Sequence, residues 1–197
     1  KGYQILDHSL DLLIYDIPTS SIVSVTPLLM PNGDNLELSP YSSSPITSSG
    51  DGQFIAVAVR ENSQRANTLI LTDQSGASPK FIPGFKNIHD VRFLNEDYFL
   101  VLDGIDLRLF DLKTLTSPWR ITAGKYSGMI TSAEVIEGQV QIQTVHISDQ
   151  SATQLMSVDL RTGEISQKPV HSTAIVGHSP SATILLEKES NQISLIK

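Results

Sequence analysis

No cysteine occurs anywhere in the 197 residues. That absence removes a disulfide framework, a thiol nucleophile and a cysteine-ligated metal site together, although it does not fix a compartment. Long apolar runs are missing too. The longest, Phe54 to Val59, has six residues, against the ~20 that a membrane-spanning helix needs, so no membrane insertion is expected. No charged segment followed by an apolar stretch opens the chain, so no signal peptide is visible from Lys1 onward. Basic residues are scarce: 14 Lys and Arg against 21 Asp and Glu give a formal net charge of −7. Such a surface repels phosphate backbones, and nucleic acid is not an expected partner.

The signatures of catalysis are also lacking. There is no Gly-x-Ser-x-Gly, and Gly177-His178-Ser179-Pro180 does not supply that spacing. The five histidines, His8, His89, His146, His171 and His178, include no pair four residues apart and no His-x-Glu. Gly50-Asp51-Gly52 has neither the Lys nor the following helix of a phosphate cradle. Asn32-Gly33-Asp34-Asn35 lacks the distal acid of a calcium loop. Glu187 and Glu189 share one face of a strand, where solvation explains them. No catalytic residue, metal ligand or cofactor site is assigned, no cofactor is expected, and the chain is taken as a non-enzyme.

What the chain does contain is a rhythm of short apolar runs. Hydrophobic content of 40% and charged content of 18% belong to globular proteins, and the length suffices for one domain with its own core. Between Ile88 and Ile121 four runs follow one another. They are Val91 to Leu94, Tyr98 to Leu102, Leu107 to Asp111, and a last run through Trp119 and Ile121, with Asn95-Glu96-Asp97, Asp103-Gly104 and Lys113-Thr114 as breaks. Runs of four to six residues rich in β-branched and aromatic types predict strands. Four in succession with tight turns predict an antiparallel meander.

The end of the third run recurs. Alternating apolar residues ending in Asp occur at Leu12 to Asp16, Leu69 to Asp73, Leu107 to Asp111 and Leu155 to Asp159. A fifth copy, Ile193 to Ile196, has Lys197 in place of the Asp. The four aspartates lie 57, 38 and 48 residues apart. A short acceptor leaving a strand can bond backbone N–H groups two residues on, which closes the turn. The long first interval contains Thr26 to Pro45, a loop with four prolines that leaves room for a short extra strand at Leu36-Glu37-Leu38.

The stretch around His89 resembles a WD40-type β-propeller blade: a His-led first strand, a polar turn, two inner strands and an aromatic–Asp pair. Phe110-Asp111 stands where that family has Trp-Asp, and Ile88 where it prefers Gly. Blades of that kind repeat at about 40–45 residues. The second repeat, Ile46 to Phe85, also resembles the propeller repeats of TolB-like proteins, which are periplasmic. The resemblance implies an all-β fold, a β-propeller portion of four-stranded antiparallel meander blades, three full and two incomplete. The repeats are expected at 1–30, 46–85, 88–122, 132–170 and 172–197. They form one domain or the C-terminal portion of a larger propeller, whose upstream part, or another copy, would hold the strand at Ile193–Ile196. Trp119 is expected to pack between blades.

The implied function is a non-catalytic scaffold for a protein or peptide partner. The alternatives are a ligand- or peptide-sensing propeller of an envelope or signalling protein and, third, an enzyme with a channel site. The cytoplasm is the favoured compartment and the periplasm the alternative. In a four-stranded blade the inter-blade loop and the loop between the second and third strands emerge on one face. With Thr26–Pro45 and Ala123–Gly128 as inter-blade loops, and Arg60–Asn67 as a second-to-third-strand loop, Tyr41, Arg60, Arg65 and Tyr126 gather there. Tyr and Arg are enriched at binding hot spots.

Overall fold

A computed structural model describes residues 2–6, 11–28, 36–42, 44–61, 67–76, 78–122, 129–145, 153–170, 173–179, 182–187 and 192–196. Strands take up more than half of the chain, and no helix occurs among the described residues. The cause is the brevity of the apolar runs, each cut by Gly, Pro, Asn or Asp before a helix could nucleate.

Five antiparallel sheets follow in chain order. The first holds β1 (Gly2–Leu6), β2 (Asp11–Asp16) and β3 (Ser21–Pro27). The second holds β4 (Leu36–Leu38), β5 (Ile46–Ser48), β6 (Phe54–Glu61), β7 (Asn67–Asp73) and β8 (Lys80–Phe85), with β4 and β5 both beside β6. The third is β9 (Ile88–Phe93), β10 (Tyr98–Asp103), β11 (Asp106–Asp111) and β12 (Trp119–Thr122). The fourth is β13 (Met129–Ile136), β14 (Gln139–Val145), β15 (Thr153–Asp159) and β16 (Ile165–Val170). The fifth is β17 (Thr173–Ser179), β18 (Ala182–Glu187) and β19 (Gln192–Ile196). Three sheets therefore have the full complement of strands and two have three, as the meander pattern predicts. The chain divides into two compact units, Lys1–Glu96 and Asp97–Lys197.

In the first unit, Leu12, Ile14 and Leu28 form a cluster with Ile55, Val57, Val59 and Ile70. Alternation on β2 sends Leu12 and Ile14 to one side, and alternation on β6 brings Ile55, Val57 and Val59 to meet them. All but Leu28, at 2%, are fully buried. Each such side chain contributes about 1.5–3 kcal/mol relative to leaving it exposed.

In the second unit Phe99 and Phe110, opposite one another on β10 and β11, stack with ring centroids 5.1 Å apart. Trp119 packs onto the next sheet as expected: its indole Nε1 donates to the Leu160 carbonyl at 2.9 Å. A methyl group on Gly163 would lie 2.7 Å from the Trp119 Cβ.

The strand-ending aspartates behave as their chemistry predicts. Asp73 Oδ1 accepts from the N–H of Ser75 and Gly76, Asp111 Oδ1 from Lys113 and Thr114, and Asp159 Oδ1 from Arg161 and Thr162. The distances run from 2.8 to 3.1 Å. A hydroxyl joins each set, from Ser75, Thr114 and Thr162. Stabilised as carboxylates by these donors, all three aspartates sit below their ordinary pKa.

Several expectations require correction. Arg60 does not lie in a loop: it is part of β6, opposite both Glu37 and Asn67. The apolar run ends at Val59, but backbone pairing carries the strand two residues further, to Glu61. The second sheet does not begin at residue 46. Its first strand begins at Leu36, with Leu36–Leu38 forming β4, and Thr26–Pro45 is thus not a single connecting loop. The fourth sheet likewise begins at Met129, three residues before the expected start.

Candidate interaction site

The first strand of the second sheet is one strand in two pieces. β4 runs opposite Glu61 to Val59, and β5 runs opposite Val57 to Ile55. Ala58, the residue between, serves both pieces. Its carbonyl accepts from Ser39 N–H at 2.9 Å, and its own N–H donates to the Pro45 carbonyl at 2.8 Å. Ser39 and Pro45 thus pair with a single residue, and Pro40, Tyr41, Ser42 and Ser44 between them stand outside the ladder as a pinched excursion.

The fourth sheet shows a smaller version of this. In β13 the register against β14 shifts between Ile130 and Ser132, an ordinary bulge of one residue. Counted from the hairpin, that bulge and the pinch fall at nearly the same height of the first strand.

The excursion is fastened at several points. A turn closes it, with Ser42 N–H donating to the Ser39 carbonyl at 3.3 Å and Pro40 in the second position that its fixed φ suits. The buried Ser39 hydroxyl donates to Asn67 Oδ1 at 3.2 Å, and Asn67 Nδ2 donates to the Lys86 carbonyl at 2.5 Å. Asn67, itself buried, thereby ties the base of the excursion to the connection between β8 and β9. Ser44 Oγ donates to the Ile46 carbonyl at 3.1 Å.

At the tip, His89 Nδ1 lies 3.2 Å from the Tyr41 carbonyl oxygen. A carbonyl only accepts, so Nδ1 carries the proton in this contact. The two rings meet edge to face, 6.4 Å between centroids and 73° between planes. Tyr41 nevertheless stays 49% exposed. Ser42 Oγ is buried and has no hydrogen-bond partner among the described residues.

Of the four residues expected to gather for a partner, two can be placed. Tyr41 stands on the excursion, not on an inter-blade loop. Arg60 reaches across the strand to Glu37, Nη2 to Oε2 at 2.5 Å, with both side chains over a third exposed. An exposed pair of this kind contributes at most about 1 kcal/mol. Tyr41 is thus engaged by His89 and Arg60 by Glu37. Arg65 and Tyr126 lie outside the described residues.

Two carboxylates of the third sheet, Asp103 and Asp106, face arginines. Arg120 Nε donates to Asp106 Oδ2 at 3.1 Å, and Thr122 Oγ1 donates to Asp106 Oδ1 at 3.1 Å. Hydrogen bonding to Asp106 raises the Arg120 pKa further above its ordinary value. Arg108 Nη1 lies 3.7 Å from Asp103 Oδ2, and its guanidinium stands 5.0 Å over the Phe110 ring. Among the described residues no three His, Cys, Asp or Glu side chains converge on a metal-sized site.

The excursion escaped the sequence reading because both of its flanks are three-residue strands. The short strand for which the sequence left room at Leu36-Glu37-Leu38 is β4, and the pair Ser39-Pro40, Ser44-Pro45 was the signal that could have found the excursion after it.

Comparison with protein-family models finds no match, and comparison with curated proteins finds none either. Solved structures do match. The β-propeller domain of the trilobed protease from Pyrococcus furiosus aligns over 98% of this chain and 62% of that one, with a TM-score of 0.60 and 14% identity. Kuenenia stuttgartiensis hydrazine synthase aligns over 89% of this chain and 49% of that one, TM-score 0.58, identity 10%. A putative dipeptidyl aminopeptidase IV from Bacteroides ovatus aligns over 95% and 32%, TM-score 0.54, identity 13%. The chain spans from about a third to under two thirds of these proteins. At such identities the likeness shows the fold alone, and that fold is a β-propeller, of which these sheets are the blades.

Proposed function

We propose that this propeller portion is a non-catalytic binding module for a protein or peptide, and that the Ser39–Pro45 excursion is its contact loop. The observation that carries the reading is the fastening of the excursion. A protrusion whose described residues are pinned through Ala58, Asn67 and His89 is held in place before a partner arrives, so little entropy is lost on binding. It displays a half-exposed tyrosine, a residue type that anchors interfaces. The acidic balance of the chain favours a peptide or protein over a nucleic acid.

A second reading is favoured by the names of two similar structures, a protease and a putative dipeptidyl aminopeptidase, each longer than this chain. In that setting the chain is the propeller part of a larger peptide-processing protein, and its ligand class is again peptide.

The test is peptide selection from a random display library on the immobilised chain, followed by affinity measurement. Tyr41→Ala should weaken selected peptides at least ~10-fold, about 1.4 kcal/mol, and leave stability within about 0.5 kcal/mol, as exposed positions usually do. Arg65→Ala and Tyr126→Ala, the other two expected contacts, should weaken them less. Thr19→Ala and Thr114→Ala, on turns at the opposite blade end, should have no effect. Unchanged binding by Tyr41→Ala together with loss in the Thr19 and Thr114 variants would overturn the assignment.

A further inference from the structure

Four of the sheets share one frame, set by the aspartate that ends a strand in each: Asp16, Asp73, Asp111 and Asp159. In the second, third and fourth sheets the partner strand is in step as well. Phe54 lies opposite Asp73, Tyr98 opposite Asp111 and Gln139 opposite Asp159. Equivalent residues can therefore be compared face by face. The residues two and four before the aspartate share a face with those opposite them. In the second sheet that face holds Leu69, Leu71, Ala56 and Ala58, and in the third Leu107, Leu109, Leu100 and Leu102, all buried. In the fourth it holds Leu155, Ser157, Gln141 and Gln143. The serine and the two glutamines are only half-buried.

This face looks toward the next sheet along the chain. The first sheet shows it directly: Leu12 and Ile14, four and two before Asp16, pack on Ile55, Val57, Val59 and Ile70 of the second. The third shows it through Trp119, which lies opposite Leu109 and donates to Leu160 in the turn of the fourth. The reverse face of the fourth sheet, with Val140, Ile142, Met156 and Val158, is apolar and fully buried, as a face turned to its predecessor should be. Gln141, Gln143 and Ser157 therefore face the fifth sheet, whose β17 lies against β15.

The polar groups of this face are tied down within their own sheet. Gln139 Nε2 donates to Asp159 Oδ2 at 3.3 Å, and its Oε1 accepts from Ser166 Oγ at 2.9 Å. Ser132 Oγ donates to Gln143 Oε1 at 3.4 Å. Such bonds survive when a neighbouring sheet leaves, and water replaces any others at little net cost. An apolar seam has no such replacement, since parting it returns hydrocarbon to water.

We propose that the fifth sheet opens from the fourth as a unit of its own, along this seam of amides and hydroxyls, while the first sheet stays packed on the second. Proteins open in cooperative pieces, and a piece with little apolar burial at its boundary opens at low cost. Opening here uncovers glutamine and serine in place of leucine, so the fourth sheet presents no apolar patch when parted. This device is separate from the excursion around Tyr41 and stands or falls independently of it.

Native-state hydrogen exchange of the 197-residue chain, read by mass spectrometry, tests it. The probes are β18 and β2, each the middle strand of a three-stranded sheet. Amides of β18 should exchange together and at least ~10-fold faster than those of β2. Gln141→Leu and Ser157→Leu, which restore the residue types of the third sheet, should each slow β18 at least ~3-fold and leave β2 unchanged. Arg161→Leu, exposed on the turn after β15, should alter neither strand. Exchange of β18 and β2 at one common rate overturns the proposal, because the fifth sheet would then open only with the whole chain. So does a leucine variant series that leaves β18 unchanged, slows both strands alike, or acts no more strongly than Arg161→Leu.

Discussion

The turn that follows β11 and the turn that follows β15 are the same object built twice. Asp111 and Asp159 each accept two backbone N–H groups and a threonine hydroxyl. In both, the strand-end N–H donates to a carbonyl five residues on, Thr116 or Glu164, and the N–H of the fifth residue of the turn counted from the Asp, Leu115 or Gly163, returns to the Asp carbonyl. In both, the following leucine, Leu112 or Leu160, donates to the preceding hairpin turn, at Asp97 or Gly138. The difference is the fifth residue, Leu115 with φ 57° in one and Gly163 with φ 74° in the other. Left-handed backbone is a preference for glycine, costing an ordinary residue roughly 1–2 kcal/mol. Leu115 shows that this cost alone is tolerated. At Gly163 a second demand is added, because Trp119 occupies the space where a Cβ would go.

The comparison makes its largest prediction at Gly163. Gly163→Ala must bear the backbone cost and also displace Trp119, whose Cβ and Cγ would lie 2.7 and 2.8 Å from the new methyl. Overpacking of this kind costs about 1–3 kcal/mol, so the total loss should be about 3 kcal/mol in urea unfolding. Gly104→Ala is the matched control, with φ +64° and nothing within 4 Å of the added atom. It should lose only about 1 kcal/mol. Equal losses at the two sites would mean that Trp119 moves aside freely and that the turns do not differ as described.

A smaller effect is shared by both turns and should be erased in both. Asp111 and Asp159 are held below the ordinary value of 3.8, first by the Thr114 and Thr162 backbone N–H groups respectively. Asp73 follows, with the Ser75 hydroxyl as the leading cause. A folded-state pKa below the unfolded one means that the unfolded chain binds more protons in the window between them. Stability is then complete above pH 3.8 and is lost as pH falls through the lowered value. The parent should show this loss in unfolding measured below that pH. The double variant Asp111→Asn, Asp159→Asn should show a shallower dependence on pH, because two of the titrating groups are gone. A slope identical to the parent's would assign acid sensitivity to other carboxylates.

What could be read from the residues was whatever depends on local chemistry. The four aspartates at 16, 73, 111 and 159 each end a strand, because the need to close a turn is met within a few residues. Trp119 was legible for a similar reason: one large aromatic at a strand end has few places to go except a neighbouring sheet. The excursion at Ser39–Pro45 and the bulge at Val23 were not legible. Both are set by which residue lies opposite on a partner strand, Ala58 in one case and Ile14 and Tyr15 in the other. Alternation within one strand does not record an inserted residue, so a strand that loses its rhythm looks like a loop. Arg60 was misplaced on the same ground, since its strand membership comes from Glu37 and Asn67. The contact of His89 with Tyr41 spans 48 residues and depends on the excursion being folded first.

Leu115 offers the finest discrimination between the two turns. Leu115→Gly makes the first turn match the second at its one point of difference, and two effects oppose each other. Relief of the left-handed backbone returns roughly 1–2 kcal/mol. Against it, glycine gives the unfolded chain more freedom, about 0.5–1 kcal/mol. The half-buried leucine also surrenders part of the ~1.5–3 kcal/mol that full burial would bring. The net change should therefore lie within about 1 kcal/mol of zero, well below the loss at Gly163, and is best measured as a shift of urea midpoint at constant slope. A loss above ~2 kcal/mol would mean that Leu115 is kept for its packing and that the left-handed backbone there is a strain the side chain outweighs. A clear gain would mean the opposite, that the leucine is retained in spite of the turn, and the two turns would then differ in side chain alone.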